Sequence, residues 1–344
     1  MERKELREQQ KKQKKKKRIK TSLLILGLVI VIGISLGAYI LFETYQAASG
    51  TYDELERGEK SEKREEVVKI SQDPISILLM GVEDYSSDGD HGRSDTMIVA
   101  TFNPGNEKLK LLSIPPRDSY VTIPGREGMD KINHSFAYGG KELTVKTVEE
   151  LLDIPIDYYA TVNFDGFKSI VNTLGGITVD VPFDFEQNSD DQKAEKLQFF
   201  EGEMELNGRY ALAYARMRLE DPRGDIGRNE RQKQVIEAII KEITSLTAIT
   251  KIEDLGKNLE SNVETNFKVG DGINFLSKYA DFRTSNIDQV TLEGSDQYIG
   301  NTYYYQLNEE SLNTVKHELR VHLEIEEPGQ PTEYSQETEA EPTS

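Results

Sequence analysis

The stretch ISILLMG, at Ile75–Gly81, is an almost continuous apolar run of the kind that forms a strand at the centre of a β-sheet. Two similar runs follow it, TMIVATF at Thr96–Phe102 and LKLLSI at Leu109–Ile114. The residues between these two, NPGN at 103–106, favour a tight turn, which predicts a hairpin. A β-sheet is therefore expected to begin near residue 75.

Apolar residues with helical spacing appear in the segments that follow these strands. The four predicted helices are Thr144–Leu152, Phe164–Leu174, Tyr210–Met217 and Arg228–Leu246. The last of them has one aliphatic face, made by Val235, Ile236, Ile239, Ile240 and Ile243. Asn308 is a suitable N-cap for a final helix at Glu309–Leu323. This order predicts an α/β domain over residues 73–325, with a central mixed β-sheet flanked by helices.

Charge is distributed unevenly along the 344 residues, whose formal net charge is −19. Residues 1–20 contain eleven Lys and Arg and three Glu, which leaves 31 basic and 58 acidic residues in the rest of the chain. Nucleic-acid binding needs a basic face for the phosphates, so this acidic body argues against it. The chain has no cysteine, which excludes disulfides, zinc–thiolate sites and a thiol nucleophile.

An uncharged segment, Thr21–Phe42, follows the basic tail at residues 1–20. As a helix it would span ~33 Å, about the thickness of a hydrocarbon core. Because Lys and Arg flank its N-terminal side, the positive-inside rule places the N-terminus in the cytoplasm and the later residues outside. The pattern predicts a signal-anchor helix and a single-pass type II protein of the cell membrane. A cleaved signal peptide is the alternative, but its apolar region is normally only ~7–15 residues long.

Polar segments lie on both sides of the predicted domain. Residues 43–72 are highly charged and are predicted to form a partly helical extracellular stalk. Residues 326–344 are acidic and almost free of apolar side chains, so they cannot bury enough surface to offset the entropy of ordering. This C-terminal tail is expected to be disordered. An extracellular domain without cysteine also suits the surface of a Gram-positive bacterium.

Arginines and carboxylates gather in four clusters beside the ends of the predicted elements. The candidate functional residues in these clusters are Glu83, Asp84, Arg93, Asp95, Arg117, Lys131, Arg216, Arg218, Asp225, Arg228, Arg231 and Gln232. Guanidinium groups suit bidentate binding of phosphate oxygens, and carboxylates can hold Mg²⁺ between phosphates. Together they would make a diphosphate site. A network of surface salt bridges is the alternative interpretation.

Spacing within the last cluster indicates which side chains can meet. Arg216 and Arg218 are two residues apart, so they would not share a face of a regular helix but can converge where a helix ends. Arg228, Arg231 and Gln232 have i, i+3, i+4 spacing, which predicts that all three lie on one face of the next helix.

Other functional motifs are weaker. Asp84, Ser86, Asp88 and Gly89 fit part of a calcium-loop pattern, but the flanking residues read as strands, which argues against an EF-hand. The sequence has no P-loop, and its four histidines are scattered. The apolar faces of the long helices could line a lipid slot, although most such residues in any domain form its core.

Seven motifs in and around the clusters resemble the LytR-CpsA-Psr family of cell-wall glycopolymer ligases. In chain order they are ILLMGVE at Ile77–Glu83, GRSDTMIV at Gly92–Val99, LLSIPPRD at Leu111–Asp118, KINHSFAYGG at Lys131–Gly140, FDGFKSIVNTLGGITVDVP at Phe164–Pro182, LNGRYALAYARMR at Leu206–Arg218 and GDIGRNERQKQV at Gly224–Val235. Their order and their spread over most of the predicted extracellular part make the resemblance specific. The members of Bacillus-like bacteria that transfer teichoic acid are especially similar.

The resemblance implies a transferase that joins a glycopolymer carried on undecaprenyl diphosphate to the 6-hydroxyl of N-acetylmuramic acid in peptidoglycan. A phosphodiester would form and undecaprenyl phosphate would leave. It also implies a diphosphate site made by Arg93, Arg117, Lys131, Arg216, Arg218, Arg228, Arg231 and Gln232. The Mg²⁺ cofactor would be held by Asp95 and by Glu83 or Asp84. Arg93, Asp95, Arg117 and Asp225 would take catalytic roles, with Asp95 or Asp225 as the base.

Two other functions use the same residues. Water could replace the sugar hydroxyl, which would make the protein a lipid-diphosphate pyrophosphatase. Alternatively, the chain could be a non-catalytic wall-binding module or a membrane regulator that signals through its basic tail. Neither the polymer that is carried nor the oligomeric state follows from these motifs.

Overall fold

The apolar run that begins at Ile75 lies in a six-stranded sheet in the structure, which is a computed structural model. The structure describes residues 51–82, 92–114, 118–190, 196–244, 262–279 and 282–327. Its strands are β1 (Ile75–Val82), β2 (Ser94–Asn103), β3 (Lys108–Ser113), β4 (Tyr120–Thr122), β5 (Met129–Lys131), β6 (Tyr158–Val162), β7 (Ile177–Val181), β8 (Phe185–Asn188), β9 (Lys196–Phe199), β10 (Gly202–Leu206), β11 (Val263–Thr265), β12 (Ile287–Val290), β13 (Gly294–Ile299) and β14 (Thr302–Leu307). Its helices are α1 (His134–Leu152), α2 (Phe164–Leu174), α3 (Gly208–Arg216), α4 (Asp225–Ile243), α5 (Val269–Lys278) and α6 (Glu309–His322).

The central sheet has the strand order β11-β6-β1-β2-β3-β12. Strands β1, β2 and β3 pair antiparallel, whereas β6 and β12 pair parallel to β1 and β3. At the predicted hairpin, Asn103 pairs with Lys108 across the turn. The predictions of a central mixed sheet flanked by helices and of this hairpin are confirmed.

The predicted helices are present, with shifts at their ends. Helix α2 has the predicted bounds, and the Asn163 side chain caps it by accepting a hydrogen bond from the Gly166 backbone N–H at 2.8 Å. Helix α6 begins after Asn308, which accepts a hydrogen bond from the Ser311 backbone N–H, as predicted for an N-cap. Helix α1 begins ten residues earlier than the sequence predicts and is interrupted by a kink after its first turn.

The two faces of the central sheet are covered differently. Helices α1 and α6 pack on one face, where alternate residues of β1 and β2 join a buried core with Val145, Val148 and Leu319. The strand residues in this core are Leu78, Met80, Met97 and Val99. The residues between them point to the opposite face, towards α2 and α4.

Residues 51–72 lie against the domain, which corrects the prediction of a stalk for this part of the chain. Leu55 is buried in the main core, and no residue of this segment is helical. Arg57 pairs with buried Glu149 at 2.6 Å and Arg64 pairs with buried Asp157 at 2.7 Å. The charges that suggest a solvated segment instead neutralise carboxylates that the domain buries.

The remaining predicted segments lie outside the described residues. They are the basic tail at 1–20, the signal-anchor at Thr21–Phe42, the first part of the stalk and nearly all of the tail at 326–344. Across the ranges that the structure describes, no helix combines the length and the hydrophobicity needed to cross a bilayer.

Candidate functional site

A cavity of about 650 Å³ lies between the central sheet and helices α2 and α4. The sheet contributes aliphatic side chains, among them Ile77, Leu79, Ile98, Ala100 and Leu111. Helix α4 contributes the whole of its predicted aliphatic face: Val235, Ile236, Ile239, Ile240 and Ile243. Aromatic rings complete the wall: Phe164, Phe167, Phe275, Tyr279 and Phe282. This face of α4 therefore lines a cavity, while Val235, Ile236 and Ile239 also pack against buried core residues.

One end of the cavity is polar, and we call it the mouth. It is lined by Asp95, Arg216, Arg218, Arg228 and Gln232. Asp95 is at the start of β2, and Arg228 is in the first turn of α4. Arg216 is the last residue of α3, and Arg218 follows two residues later. These positions bring the residues together. The later residues of β2 and α4 line the apolar remainder. Four residues predicted to bind the diphosphate thus meet at one opening with Asp95, which is predicted as a metal ligand and catalytic residue.

The end of α3 explains how two arginines that are two residues apart reach the same opening. Helix α3 ends at Arg216, and the next residue, Met217, is extended, with φ −60° and ψ 131°. Met217 is fully buried, whereas Arg216 and Arg218 on either side of it are exposed. The Arg216 guanidinium lies 4.5 Å from the centre of the Phe164 ring, a cation–π contact that orients it at the mouth.

Of the three α4 residues predicted to share a face, only two line the cavity. Arg228 and Gln232 are one turn apart, and both are more than 90% buried. The Gln232 amide donates a hydrogen bond to the Ala215 carbonyl at 3.4 Å, which ties α4 to the end of α3. A buried guanidinium binds an anion more strongly than a solvated one because water screens it less.

Arg231 points away from the cavity, which contradicts the prediction that it shares a face with the other two. Its guanidinium forms an ion pair with Asp221 and donates a hydrogen bond to the Met217 carbonyl. Both members of the pair are buried, and although burial acts in the opposite direction, the hydrogen bond from Arg231 lowers the pKa of Asp221. Arg231 therefore holds the loop between α3 and α4 in place, and Asp221, which the sequence did not single out for this role, is its partner.

Lys131 and Arg93 do not line the cavity either. The Lys131 ammonium pairs with Asp118 at 2.6 Å and lies 5.5 Å from the centre of the Tyr304 ring. Arg93 is exposed immediately before β2, two residues from Asp95, and acts electrostatically on Tyr138. Lys131 is thus neutralised within the domain, whereas Arg93 lies beside the mouth.

Several predicted site residues fall outside what the structure describes. They are Arg117, Glu83, Asp84 and the side chain of Asp225, although the backbone of Asp225 is the first residue of α4. Within the described residues, no group of three or more His, Cys, Asp or Glu could hold a metal ion. Mg²⁺ is usually held by one or two carboxylates together with substrate phosphates, so Asp95 at the mouth fits the prediction as one ligand.

The sequence predicted the polar mouth better than the apolar wall. Phe275, Tyr279 and Phe282 come from α5 and the turn after it, for which no prediction was made. The available signal was the aliphatic face of α4, whose five residues lie on one side of the helix. Whether such a face packs tightly or lines a space depends on the partner surface, which the spacing does not reveal.

An apolar cavity that opens between guanidinium groups defines a class of protein that binds a long hydrocarbon chain joined to an anionic head group. Residues 38–321 match the model of the LytR_cpsA_psr family. The chain belongs to this family, which confirms the resemblance drawn from the seven motifs.

The relatives agree with this assignment. TagV of Bacillus subtilis (strain 168), a polyisoprenyl-teichoic acid–peptidoglycan teichoic acid transferase, is 46% identical over 310 residues, covering 89% of this chain and 79% of TagV. The crystal structure of B. subtilis TagV has a TM-score of 0.67 at 47% identity and covers 74% of this chain and 98% of that one. The family protein YwtF (TagT) with bound octaprenyl pyrophosphate lipid has a TM-score of 0.61 at 36% identity, covering 79% and 99%.

Proposed function

We propose that this chain transfers a cell-wall glycopolymer, such as teichoic acid, from undecaprenyl diphosphate to the N-acetylmuramic acid of peptidoglycan. The observation that carries the proposal is the apolar cavity with three arginines at its mouth. The names of the relatives, which are teichoic acid transferases, support the same reaction. The protein is accordingly an enzyme of the phosphotransferase type.

The apolar part of the cavity suits the polyprenyl chain of the donor. Hydrocarbon that leaves water contributes about 0.8 kcal/mol per buried CH₂. The wall offers aliphatic residues of β1, β2 and α4 together with five aromatic rings. The bound octaprenyl pyrophosphate of TagT is a ligand of this chemistry in a relative with the same fold.

The mouth suits the diphosphate. Arg216, Arg218 and Arg228 present guanidinium groups whose planar N–H donors match phosphate oxygens, and Gln232 adds an amide donor. Arg93, two residues before Asp95, and Arg117 would complete this set. Fixed positive charge would stabilise the negative charge that develops on the departing phosphate.

The transfer forms one bond and breaks one bond. The oxygen of the acceptor's 6-hydroxyl attacks the phosphorus atom that carries the glycopolymer, and the bond from that phosphorus to the bridging oxygen breaks. Undecaprenyl phosphate leaves with the bridging oxygen, and the hydroxyl proton passes to a carboxylate. Asp95 or Asp225 would accept that proton, because both lie at the segments that form the mouth.

Asp95, together with Glu83 or Asp84, would hold Mg²⁺ beside the diphosphate. When bound, the ion would supply further positive charge to the phosphate oxygens. Removal of Mg²⁺ by a chelator is expected to abolish transfer, and adding it back should restore the rate.

The location of the reaction follows from the donor. Undecaprenyl diphosphate is a membrane lipid, and peptidoglycan lies outside the bilayer. A signal-anchor at Thr21–Phe42 with a cytoplasmic basic tail would place the domain at the outer face of the cell membrane. Measuring the accessibility of the two termini to protease in right-side-out and inverted vesicles tests this topology.

One reconstitution tests the reaction class. The full chain would be incubated in detergent with a polyprenyl-diphosphate glycan, Mg²⁺ and peptidoglycan oligomers, and the products separated by mass. The proposal predicts a covalent glycan–muropeptide adduct that depends on Arg218. Release of phosphorylated glycan into water instead would indicate a pyrophosphatase. Binding of both substrates without any product would indicate a non-catalytic module.

A further inference from the structure

A second polar cluster lies beside the mouth, and the cavity does not use it. Tyr138, in the first turns of α1, is 42% exposed, and the Arg126 guanidinium lies 3.7 Å from the centre of its ring. Arg126 is itself exposed in the turn between β4 and β5. An aromatic ring with a guanidinium stacked on it presents flat apolar surface and planar hydrogen-bond donors side by side.

The Tyr138 ring is held by a hydrogen-bond network. Its hydroxyl donates to the Asp130 carboxylate at 2.7 Å, and the His134 imidazole bonds to the same oxygen at 3.0 Å. Burial would raise the pKa of Asp130, but hydrogen bonds from Tyr138 and His134 outweigh it and lower that pKa. Asp130 is therefore ionised at neutral pH. Arg126 and Arg93 nevertheless place two guanidinium groups beside this carboxylate.

A kink in α1 presents this ring to solvent. Gly139 and Gly140, immediately after Tyr138, have non-helical conformations, and Gly140 has φ 56° and ψ −148°. Residues with a Cβ atom rarely adopt the latter conformation, so the kink requires glycine. The rest of α1, from about Thr144, packs on the sheet, whereas the first turns are freed to carry His134 and Tyr138 outwards.

The body of α1 and the cavity lie on opposite faces of the same sheet. Helix α1 packs on the face that carries Leu78 and Val99, whereas the cavity lies on the face that carries Leu79 and Ile98. Arg93, which acts electrostatically on Tyr138, is two residues from Asp95 at the mouth. A ligand on the cluster would therefore reach the mouth around the edge of the sheet, from the side opposite α4.

We propose that Tyr138 and Arg126 bind the acceptor, a peptidoglycan glycan strand, through a sugar face on the ring and a stem-peptide carboxylate on the guanidinium. This inference rests on the proposed function, and it assigns the acceptor to a surface distinct from the diphosphate site. In-line displacement requires the attacking hydroxyl and the leaving phosphate on opposite sides of the phosphorus atom. A donor on the α4 side and an acceptor that arrives from the α1 side would approach the phosphorus atom from different directions.

Binding to the full chain in detergent tests the assignment directly, without relying on catalysis. The probes are a peptidoglycan oligosaccharide with its peptide stems, the same glycan after the stems are removed, and a prenyl diphosphate. Tyr138→Ala and Arg126→Ala are each expected to weaken binding of the stemmed glycan by about tenfold. Arg126→Lys should weaken it less, because the charge remains but the planar fork is lost. The affinity for prenyl diphosphate should stay within about twofold.

Matched controls remove exposed groups elsewhere. Lys146→Ala takes a cation from the exposed side of α1, and Tyr298→Ala removes a tyrosine that is 69% exposed on β13. Neither should change binding of the glycan. Thermal unfolding of each variant checks the fold, and Arg126, in an exposed turn, provides a test even if Tyr138→Ala proves unstable.

The possible results separate this inference from the proposed function. Unchanged binding of the stemmed glycan in the Tyr138→Ala/Arg126→Ala double variant would overturn it, as would an equal loss of prenyl-diphosphate affinity. If the stemless glycan binds the unaltered protein as tightly as the stemmed one, the carboxylate contact is wrong. If the assignment holds but no adduct forms in the reconstitution, only the transfer reaction fails.

Discussion

The two faces of the central sheet use the same strands for opposite purposes. On the α1 side, Leu78 and Val99 are fully buried and close-packed with helix residues. On the α4 side, their neighbours Leu79 and Ile98 face a cavity of about 650 Å³. Because side chains alternate along a strand, one apolar run supplies both a core and a binding wall. The close-packed face supports the fold, and the open face leaves room for a ligand.

The largest expected contrast is between two arginines, one buried behind the open face and one exposed at its mouth. Arg231→Ala removes the partner of buried Asp221, and an unpaired buried charge costs about 3–5 kcal/mol of unfolding free energy. Arg218→Ala, at the exposed mouth, should change stability by no more than about 0.5 kcal/mol. Urea unfolding of the full chain in detergent measures both values.

In ligand binding, Arg218→Ala should have a larger effect than Arg231→Ala, the reverse of their effects on stability. Arg218→Ala is expected to weaken prenyl-diphosphate binding by about 10- to 150-fold, since a hydrogen bond to a charged group contributes about 1.5–3 kcal/mol. Arg231→Ala should bind normally at temperatures where it remains folded. Equal stability of the two variants would mean that Arg231 does not hold the loop between α3 and α4.

Neighbouring leucines of β1 provide the next contrast. Leu78→Ala should destabilise the fold by about 3 kcal/mol, because it opens a cavity in a close-packed core. Leu79→Ala enlarges a cavity that already exists, so its cost should be about 1 kcal/mol. The same variant should weaken prenyl-diphosphate binding several-fold. Equal unfolding free energies for the two variants would contradict the difference between the faces.

The smallest contrast concerns pH. His322 belongs to the close-packed face, where its Nδ1 lies 2.8 Å from the Thr101 hydroxyl, and burial lowers its pKa to about 4. In the unfolded chain its pKa is about 6.5, so the unfolded state binds more protons between these values. The stability that depends on neutral His322 is therefore complete above pH 6.5 and is lost as pH falls towards 4.

The contribution of neutral His322 to the unfolding free energy amounts to about 2–3 kcal/mol. His322→Gln, which cannot titrate, should lose correspondingly less stability than the unaltered protein between pH 7 and pH 4. The cations described at the mouth are arginines, which do not titrate in this range, so they should add little pH dependence to ligand binding. Urea unfolding at the two pH values gives the comparison, and parallel losses in both proteins would show that His322 is not the titrating group.

The parts of the fold that were predictable are those encoded locally. The run at Ile75–Gly81, the turn at 103–106 and the cap at Asn308 each carry their own signal and were correctly assigned. Short strands such as β7 to β10 were missed, because their pairing depends on residues brought together by the fold. The first turns of α1 were missed because two adjacent glycines, Gly139 and Gly140, break the helical pattern.

Residue spacing predicted the site only where it determines which side of a helix a residue faces. Arg228 and Gln232 are one turn apart and meet at the mouth, as expected. The prediction for Arg231 was wrong because the i+3 position is rotated from i, and its buried partner, Asp221, comes from the preceding loop. Lys131 does not line the cavity, and Asp118, on the segment before β4, pairs with it. Local spacing does not reveal such partners.

The proposed function requires that the open face receives a hydrocarbon chain while the mouth binds its diphosphate. The direct measurement is the affinity of the full chain for prenyl diphosphates of two, four and eight isoprene units, and for the eight-unit monophosphate. Each buried CH₂ contributes about 0.8 kcal/mol, so affinity should rise at least tenfold from the shortest chain to the longest. The monophosphate should bind more weakly than the matching diphosphate. Affinity that does not depend on chain length would contradict binding of the hydrocarbon chain in the cavity.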